Sequence, residues 1–282
     1  NDGTNGSELW KSDGTESGTV MVNDINSGSG DSFQSVCANC MAVLDNNIYF
    51  SAYTAANGVE LWKSDGTASG TLMVKDINTG TQTSLSQFNI VATEEKILFK
   101  ANDGIHGDEL WKSDGTAAGT ALLSELTPTA AGSTISHMTS MGELVFFHVY
   151  VNGGGISYRA AFVSDGTPEG TFAVVNSSSL GNINSITSFS ALGDQMYFHV
   201  NAPNANLYVS DGTTNGTTSI TPFTGSVSTY NGNYLYQPAV IADNTVFFFS
   251  CTGVHPTLGT IGNHCREGVE LMAYDPVNIT LN

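Results

Sequence analysis

Two carboxylates recur together along this chain: Glu8 with Asp13, Glu60 with Asp65, and Glu109 with Asp114. Paired oxygen ligands of this kind suit a hard cation such as calcium. The loops Asp2 to Glu8 and Asp103 to Glu109 add further oxygens and are the better calcium candidates, although neither has EF-hand spacing. The rival reading is mechanical. An Asp side chain accepts a hydrogen bond from the backbone N–H two residues on, and a following Gly takes positive φ without a Cβ clash. Two further copies keep Asp165 and Asp211 but carry Ala160 and Asn206 where the Glu stood. An Asp that persists without its partner is a turn former. The turn residues are therefore Asp13 and Gly14, Asp65 and Gly66, Asp114 and Gly115, Asp165 and Gly166, and Asp211 and Gly212. No catalytic residue, metal site or cofactor is assigned from them, and calcium stays open because it would relieve the acidic charge.

Other groups with chemistry are few. Cys37, Cys40, Cys251 and Cys265 allow three pairings. A bridge between Cys251 and Cys265 would close the single long insertion, and disulfides are favoured over zinc because the composition suits an oxidising compartment. Cys37 and Cys40 form a C-x-x-C, but a redox site of the thioredoxin type needs a βαβ context. His148 and His199 occupy one repeat position whose other occupants are Ser51, Lys100 and Phe249, so packing or a strand end is expected there. Trp10, Trp62 and Trp111 give way to Phe162, Tyr208 and Met272, a core-packing series whose aromatic rows can also stack on sugars. Glycoside cleavage usually needs two opposed carboxylates. Glu94, Glu95, Glu143, Glu169 and Glu267 lie off the repeat pattern and form no recognisable pair. Asn5, Asn176, Asn215 and Asn278 are glycosylation candidates by their N-x-S/T context.

The whole chain bounds these readings. It has 282 residues, 8 Lys+Arg against 26 Asp+Glu, and a formal net charge of −18. That excludes a nucleic-acid partner, which demands clustered cations, and disfavours anionic membranes. Charged residues make up 12% and hydrophobic ones 40%, so the chain can bury a core and is not disordered. No apolar run reaches the roughly 18 residues of a membrane span.

The elements that must position these groups are repeated. Glu8-Leu9-Trp10-Lys11-Ser12-Asp13-Gly14-Thr15 returns over 60–67 and 109–116, with a second Gly-Thr close behind each time. Degenerate copies run 162–167 and 208–213, and a last one runs 270–275. The turn aspartates, ending with Asp275, are spaced by 52, 49, 51, 46 and 64 residues, a period in the range of propeller blades. Between them lie short strand-like runs: Ile48-Tyr49-Phe50, Ile97-Leu98-Phe99, Val145-Phe146-Phe147, Met196-Tyr197-Phe198 and Val246-Phe247-Phe248. Neighbouring apolar residues in a strand point to opposite faces, so both faces must be covered. Four strands per unit are expected, at about 40–44, 47–53, 59–64 and 71–77 in the second unit. The last unit is expected to hold strands at about 236–242, 245–250 and 268–274 and a fourth at 278–281. The second Gly-Thr is expected to start the outer strand with a bulge.

With these residues the chain resembles the ELWxxDGT-repeat proteins, closely over 1–126, less so to 220, and faintly beyond. The resemblance implies a secreted or surface-attached β-propeller and brings no catalytic residues with it. The turn also resembles the Asp-box of sialidase-type propellers, but lacks the residue between Asp and Gly, so no glycosidase activity follows.

The expected architecture is all-β: one propeller domain of four-stranded antiparallel blades, six in number with seven as the alternative. Residues 1–26 form a half blade, 27–80, 81–128, 129–176 and 177–221 form blades, and 222–282 form the last blade with an insertion at 251–265. The chain opens within a unit, so a longer parent protein is expected. The expected function is an extracellular or cell-surface structural or adhesive module, not an enzyme, in contact with other protein domains, copies of itself or glycans. A surface filament, sheath or matrix would suit it. A carbohydrate-binding or carbohydrate-active propeller and a calcium-stabilised binding module are the alternatives.

Overall fold

The computed structural model describes residues 1–33, 40–85, 90–127, 133–153, 156–177, 183, 185–201, 206–220, 229–230, 233–234, 240–242, 245–250 and 270–274. Among the described residues the elements that can be traced end to end are all strands, and Ser177 alone is helical. β1 (Leu9–Lys11) and β2 (Val20–Asn23) form an opening pair. Sheet I follows, with β3 (Met41–Leu44), β4 (Asn47–Thr54), β5 (Gly58–Ser64) and β6 (Leu72–Lys75). Sheet II holds β7 (Ile90–Ala92), β8 (Ile97–Asn102), β9 (Asp108–Ser113) and β10 (Ala121–Ser124). Sheet III holds β11 (Thr134–Met141), β12 (Leu144–Gly153), β13 (Ile156–Ser164) and β14 (Phe172–Asn176). Sheet IV holds β15 (Ser185–Leu192), β16 (Gln195–Asn201), β17 (Asn206–Ser210) and β18 (Thr218–Ser219). A short pair, β19 (Thr229–Tyr230) and β20 (Asn233–Tyr234), precedes a three-stranded closing sheet of β21 (Val240–Ala242), β22 (Thr245–Ser250) and β23 (Glu270–Tyr274). Each sheet is antiparallel with its strands in chain order.

The apolar pairs explain the stacking. Tyr49 enters the core between sheets I and II, whereas its neighbour Phe50 enters the core between sheet I and the opening pair. Phe99 faces sheet I and Leu98 faces sheet III. Phe147 faces sheet II and Phe146 faces sheet IV. Each second strand thus feeds two cores, and each such side chain contributes roughly 1.5–3 kcal/mol of burial. The first strands adjoin in sequence: β3 lies by β7, β7 by β11, β11 by β15, and β15 by β21. They share an inner position and leave the fourth strands outermost, a propeller-like arrangement. No closed sheet occurs among the described residues.

Two expectations about strand ends need adjustment. The fourth strand of sheet I is shorter than 71–77 because Asp76 and Ile77 already belong to the connector held by Glu60. The outer strand does carry the expected bulge, but a few residues past the second Gly-Thr: the extra residue is Val22, Val74, Leu123 or Val174, beside the third-strand aromatic. The fourth strand expected at 278–281 and the insertion at 251–265 lie outside the described residues.

Candidate functional site

The recurring turn is built the same way five times. In the opening pair, Asp13 Oδ1 accepts from Thr15 N at 2.9 Å and from Thr15 Oγ1 at 2.7 Å. Gly14 N donates to Ser12 Oγ at 3.0 Å, Gly18 N to Thr15 Oγ1 at 2.9 Å, and Thr19 Oγ1 to Thr15 O at 2.7 Å. Ser12 and Thr19 hydroxyls meet at 2.7 Å and clamp the two strands. The same bonds surround Asp65, Asp114, Asp165 and Asp211. The hydroxyl of Thr15, ahead of its backbone N–H, holds the Asp13 carboxyl below its ordinary range, and the Thr67 and Thr116 hydroxyls do the same for Asp65 and Asp114. The second glycine has its own reason: a Cβ on Gly18 would stand 1.9 Å from Asp13 Oδ1. The carboxylate fills the space that a side chain would need.

The glutamates do different work from the aspartates they accompany. Glu8, Glu60 and Glu109 are buried at the start of each third strand. Glu8 accepts from Ile25 N at 2.9 Å and Ser32 Oγ at 2.8 Å. Glu60 accepts from Ile77 N at 3.0 Å and from Ser84 Oγ, and Glu109 accepts from Leu126 N and Thr127 Oγ1 at 2.7 Å each. Each carboxylate therefore latches its strand to the connector that runs to the next sheet. Burial pushes Glu60 up to about 7 against the pull of these donors, and pushes Glu109 up as well. The better calcium loops close on themselves: Asp2 accepts from Thr4 N and Asn5 N, and Asp103 accepts from Ile105 N and bonds the His106 ring at 2.7 Å. Among the described residues no group of three His, Cys, Asp or Glu side chains is placed to hold a metal.

The lysines escaped sequence reasoning. Lys11 Nζ donates to Gly66 O at 2.8 Å, Lys63 Nζ to Gly115 O at 2.8 Å, and Lys112 Nζ to Gly166 O at 3.2 Å. Every lysine of the Glu-Leu-Trp-Lys motif thus caps the turn of the next unit. Lys75 and Lys96 also reach carbonyls in the next unit, Thr120 O and Asp165 O, and Lys100 pairs with Asp108 at 2.8 Å. The available signal was the constancy of Lys after Trp.

His148 and His199 are both buried. Burial, assisted by Arg159 and then His137, lowers His148 to about 3, and burial lowers His199 to about 4. Ser136 Oγ lies 3.2 Å from His148 Nδ1 and 3.1 Å from His137 Nδ1. His137 has a φ of +57° within a register shift of β11 between Ser136 and Thr139. Among the described residues His148 Nε2 is buried without a hydrogen-bond partner. The packing expected at this position is therefore right for the ring but silent on the polar group around it: Ser136 has a counterpart in Thr187 opposite His199, whereas His137 and Arg159 have none in kind.

Cys40 is disulfide-bonded, while Cys37, Cys251 and Cys265 lie outside the described residues. Of the sequons, Asn5 Nδ2 donates to Asp2 Oδ2 at 2.8 Å, Asn176 ends β14, Asn215 is exposed in the sheet IV turn, and Asn278 lies outside the described residues.

No family model matches the chain, and no curated protein matches it. Solved structures do match. A prolyl endopeptidase aligns at TM-score 0.42 and 9% identity, over 62% of this chain and 24% of its own. A puromycin hydrolase aligns at TM-score 0.42 and 12% identity, over 67% of this chain and 33% of its own. A polysaccharide lyase aligns at TM-score 0.42 and 12% identity, over 83% of this chain and 57% of its own. The chain thus spans less than two thirds of the length of each. One expectation is corrected here: the chain was expected not to be an enzyme, whereas these similar structures all belong to enzymes. Fold hosts many functions, so a motif-free repeat is no ground for excluding catalysis, and likeness at this distance lends the chain none of those reactions.

Proposed function

We propose that this chain is an extracellular structural or adhesive module of the ELWxxDGT-repeat type, which contacts other protein domains, copies of itself or glycans through its rim. Its sheets are blades of a six-bladed propeller, with seven the alternative. One observation carries the reading. The residue that opens the outermost strand is apolar and exposed in three units: Val20 at 40%, Leu72 at 51% and Phe172 at 36%. A repeated exposed apolar position on a rigid frame suits contact with partners. The disulfide at Cys40 suits an oxidising compartment. The outer strands are short edges with unpaired backbone groups, open to strand addition.

The test is sedimentation of the wild-type chain beside a Val20→Asp, Leu72→Asp, Phe172→Asp variant. Concentration-dependent association that the variant loses, at an unchanged melting midpoint, is the expected result. A wild-type chain that stays monomeric and is absent from dissolved native surface assemblies would overturn the reading.

A further inference from the structure

The cationic side chains among the described residues are almost fully committed. All six lysines bind a backbone carbonyl or Asp108. Among the described residues Arg159 is the exception. Its guanidinium carbon lies 3.7 Å from the centroid of the Tyr150 ring, and among the described residues it has no hydrogen bond or ion pair. Its five N–H donors remain available.

Register places other polar groups on the same face. Tyr150 lies opposite Arg159, His148 opposite Ala161, and Ser136 opposite His148. Ala161 and Phe146 belong to the core shared with sheet IV. By the two-residue alternation of a strand, Arg159, Tyr150 and His148 face sheet IV as well. In sheets I and II the position of Arg159 is held by Val59 and Asp108, and that of His148 by Ser51 and Lys100. Sheet IV repeats the bulge and the histidine, with Thr187 opposite His199, but in sequence has Ser188 in place of His137 and Ala205 in place of Arg159, so the arginine and the second histidine are peculiar to sheet III. The bulge at Ser136 raises His137 out of the ladder into a left-handed conformation that costs a non-glycine residue energy. His137 is exposed, and Arg159 and Tyr150 are half-buried, so the cluster is open to a ligand at its edge. His148, more than nine-tenths buried, closes its floor with an unpartnered Nε2.

We propose that this face of sheet III binds a carboxylate group, with Arg159 as the bidentate partner, His137 as a second donor, and Ser136 and His148 as the floor that positions it. A planar guanidinium matches a planar carboxylate, and a single positive charge balances a single negative one. A phosphate dianion would lack a second cation here. The carboxylate can belong to a free organic acid or to an acidic sugar. This site is separate from the exposed rim and does not depend on the adhesive reading.

The test is titration of the full chain with acetate, glucuronate and neutral glucose, followed by the imidazole NMR signals of His137 and His148 and by calorimetry. Saturable shifts with a carboxylate and none with glucose are expected. Equal affinity for acetate and glucuronate would identify a free-acid site, and tighter glucuronate binding an acidic-sugar site. Arg159→Lys is expected to weaken binding about tenfold by losing the bidentate geometry, and Arg159→Met to abolish it. Lys100→Met is the control that keeps affinity, and thermal melting confirms that each variant is folded. No saturable shift with either acid, equal shifts with glucose, or unchanged affinity in folded Arg159→Met would overturn the proposal.

Discussion

The seams on either side of sheet III are closed by different means. From the opening pair to sheet III, each seam carries a motif lysine on the next turn and a buried glutamate on the connector. Between sheets III and IV the same positions hold Val163 and Ala160, and an aromatic cluster replaces the latches. Phe146, Phe189, Phe198 and Tyr208 stand there with ring centroids 5.1–6.3 Å apart in succession. The turn frame is unchanged across both regions, and Gly212 packs on Leu144 as Gly115 packs on Tyr49. One backbone plan thus accepts polar or apolar seams. Polar latches fix which strand meets which connector, because a misplaced partner leaves a buried carboxylate unpaired. Apolar seams contribute more burial and discriminate less.

Breaking the apolar seam should cost most. Phe198→Ala is expected to destabilise the chain by about 3–5 kcal/mol in urea unfolding, because the cavity in a packed core adds to the lost burial. A cost below about 1 kcal/mol would show that sheet IV does not rest on this cluster. Breaking a latch comes next. Glu109→Ala leaves the Leu126 N–H without its acceptor and removes one partner each from the hydroxyls of Thr127 and Ser133, the latter keeping Asp108 O, and is expected to cost about 2–4 kcal/mol. The transplant Ala160→Glu, in a unit without the latch, is expected to destabilise too.

A pH series sharpens the contrast. The folded state holds Glu60 at about 7 against a reference of 4.5, so its contribution is fully present below 4.5 and is lost as pH rises through about 7. The turn aspartates, lowered by their threonines, act oppositely and lose stability as acid protonates them. Glu60→Gln is expected to flatten the melting midpoint between pH 4.5 and about 7 relative to wild type. An unchanged slope would remove Glu60 from the seam. The smallest effect belongs to Lys63→Met, about 0.5–1.5 kcal/mol and little altered by salt, since its acceptor is a neutral carbonyl.

The sequence makes the strands and turns legible because both are local. Tyr49 and Phe50 announce a strand covered on two sides, and Asp13 with Gly14 announces a turn with a hydrogen-bond partner two residues away. The latches are not local. Glu8, Glu60 and Glu109 meet a connector amide 17 residues on and a serine 24 residues on. That fixed interval from Glu to Ser was present in the repeat but has no meaning until the connector's path is known. The lysine caps cross to the next unit, 52–55 residues away, and are invisible to any local rule. The cluster at Arg159 was hidden for another reason, because it departs from the repeat that guided the reading.

Hydrogen exchange of the amides of Ile25, Ile77 and Leu126 tests the latched seams most directly. These residues lie in connectors and donate to buried carboxylates in place of a strand partner. Slow exchange at all three, with protection at Leu126 lost in Glu109→Ala while Phe147 in the neighbouring core stays protected, is the expected result. Fast, loop-like exchange at these amides in the wild-type chain would contradict it.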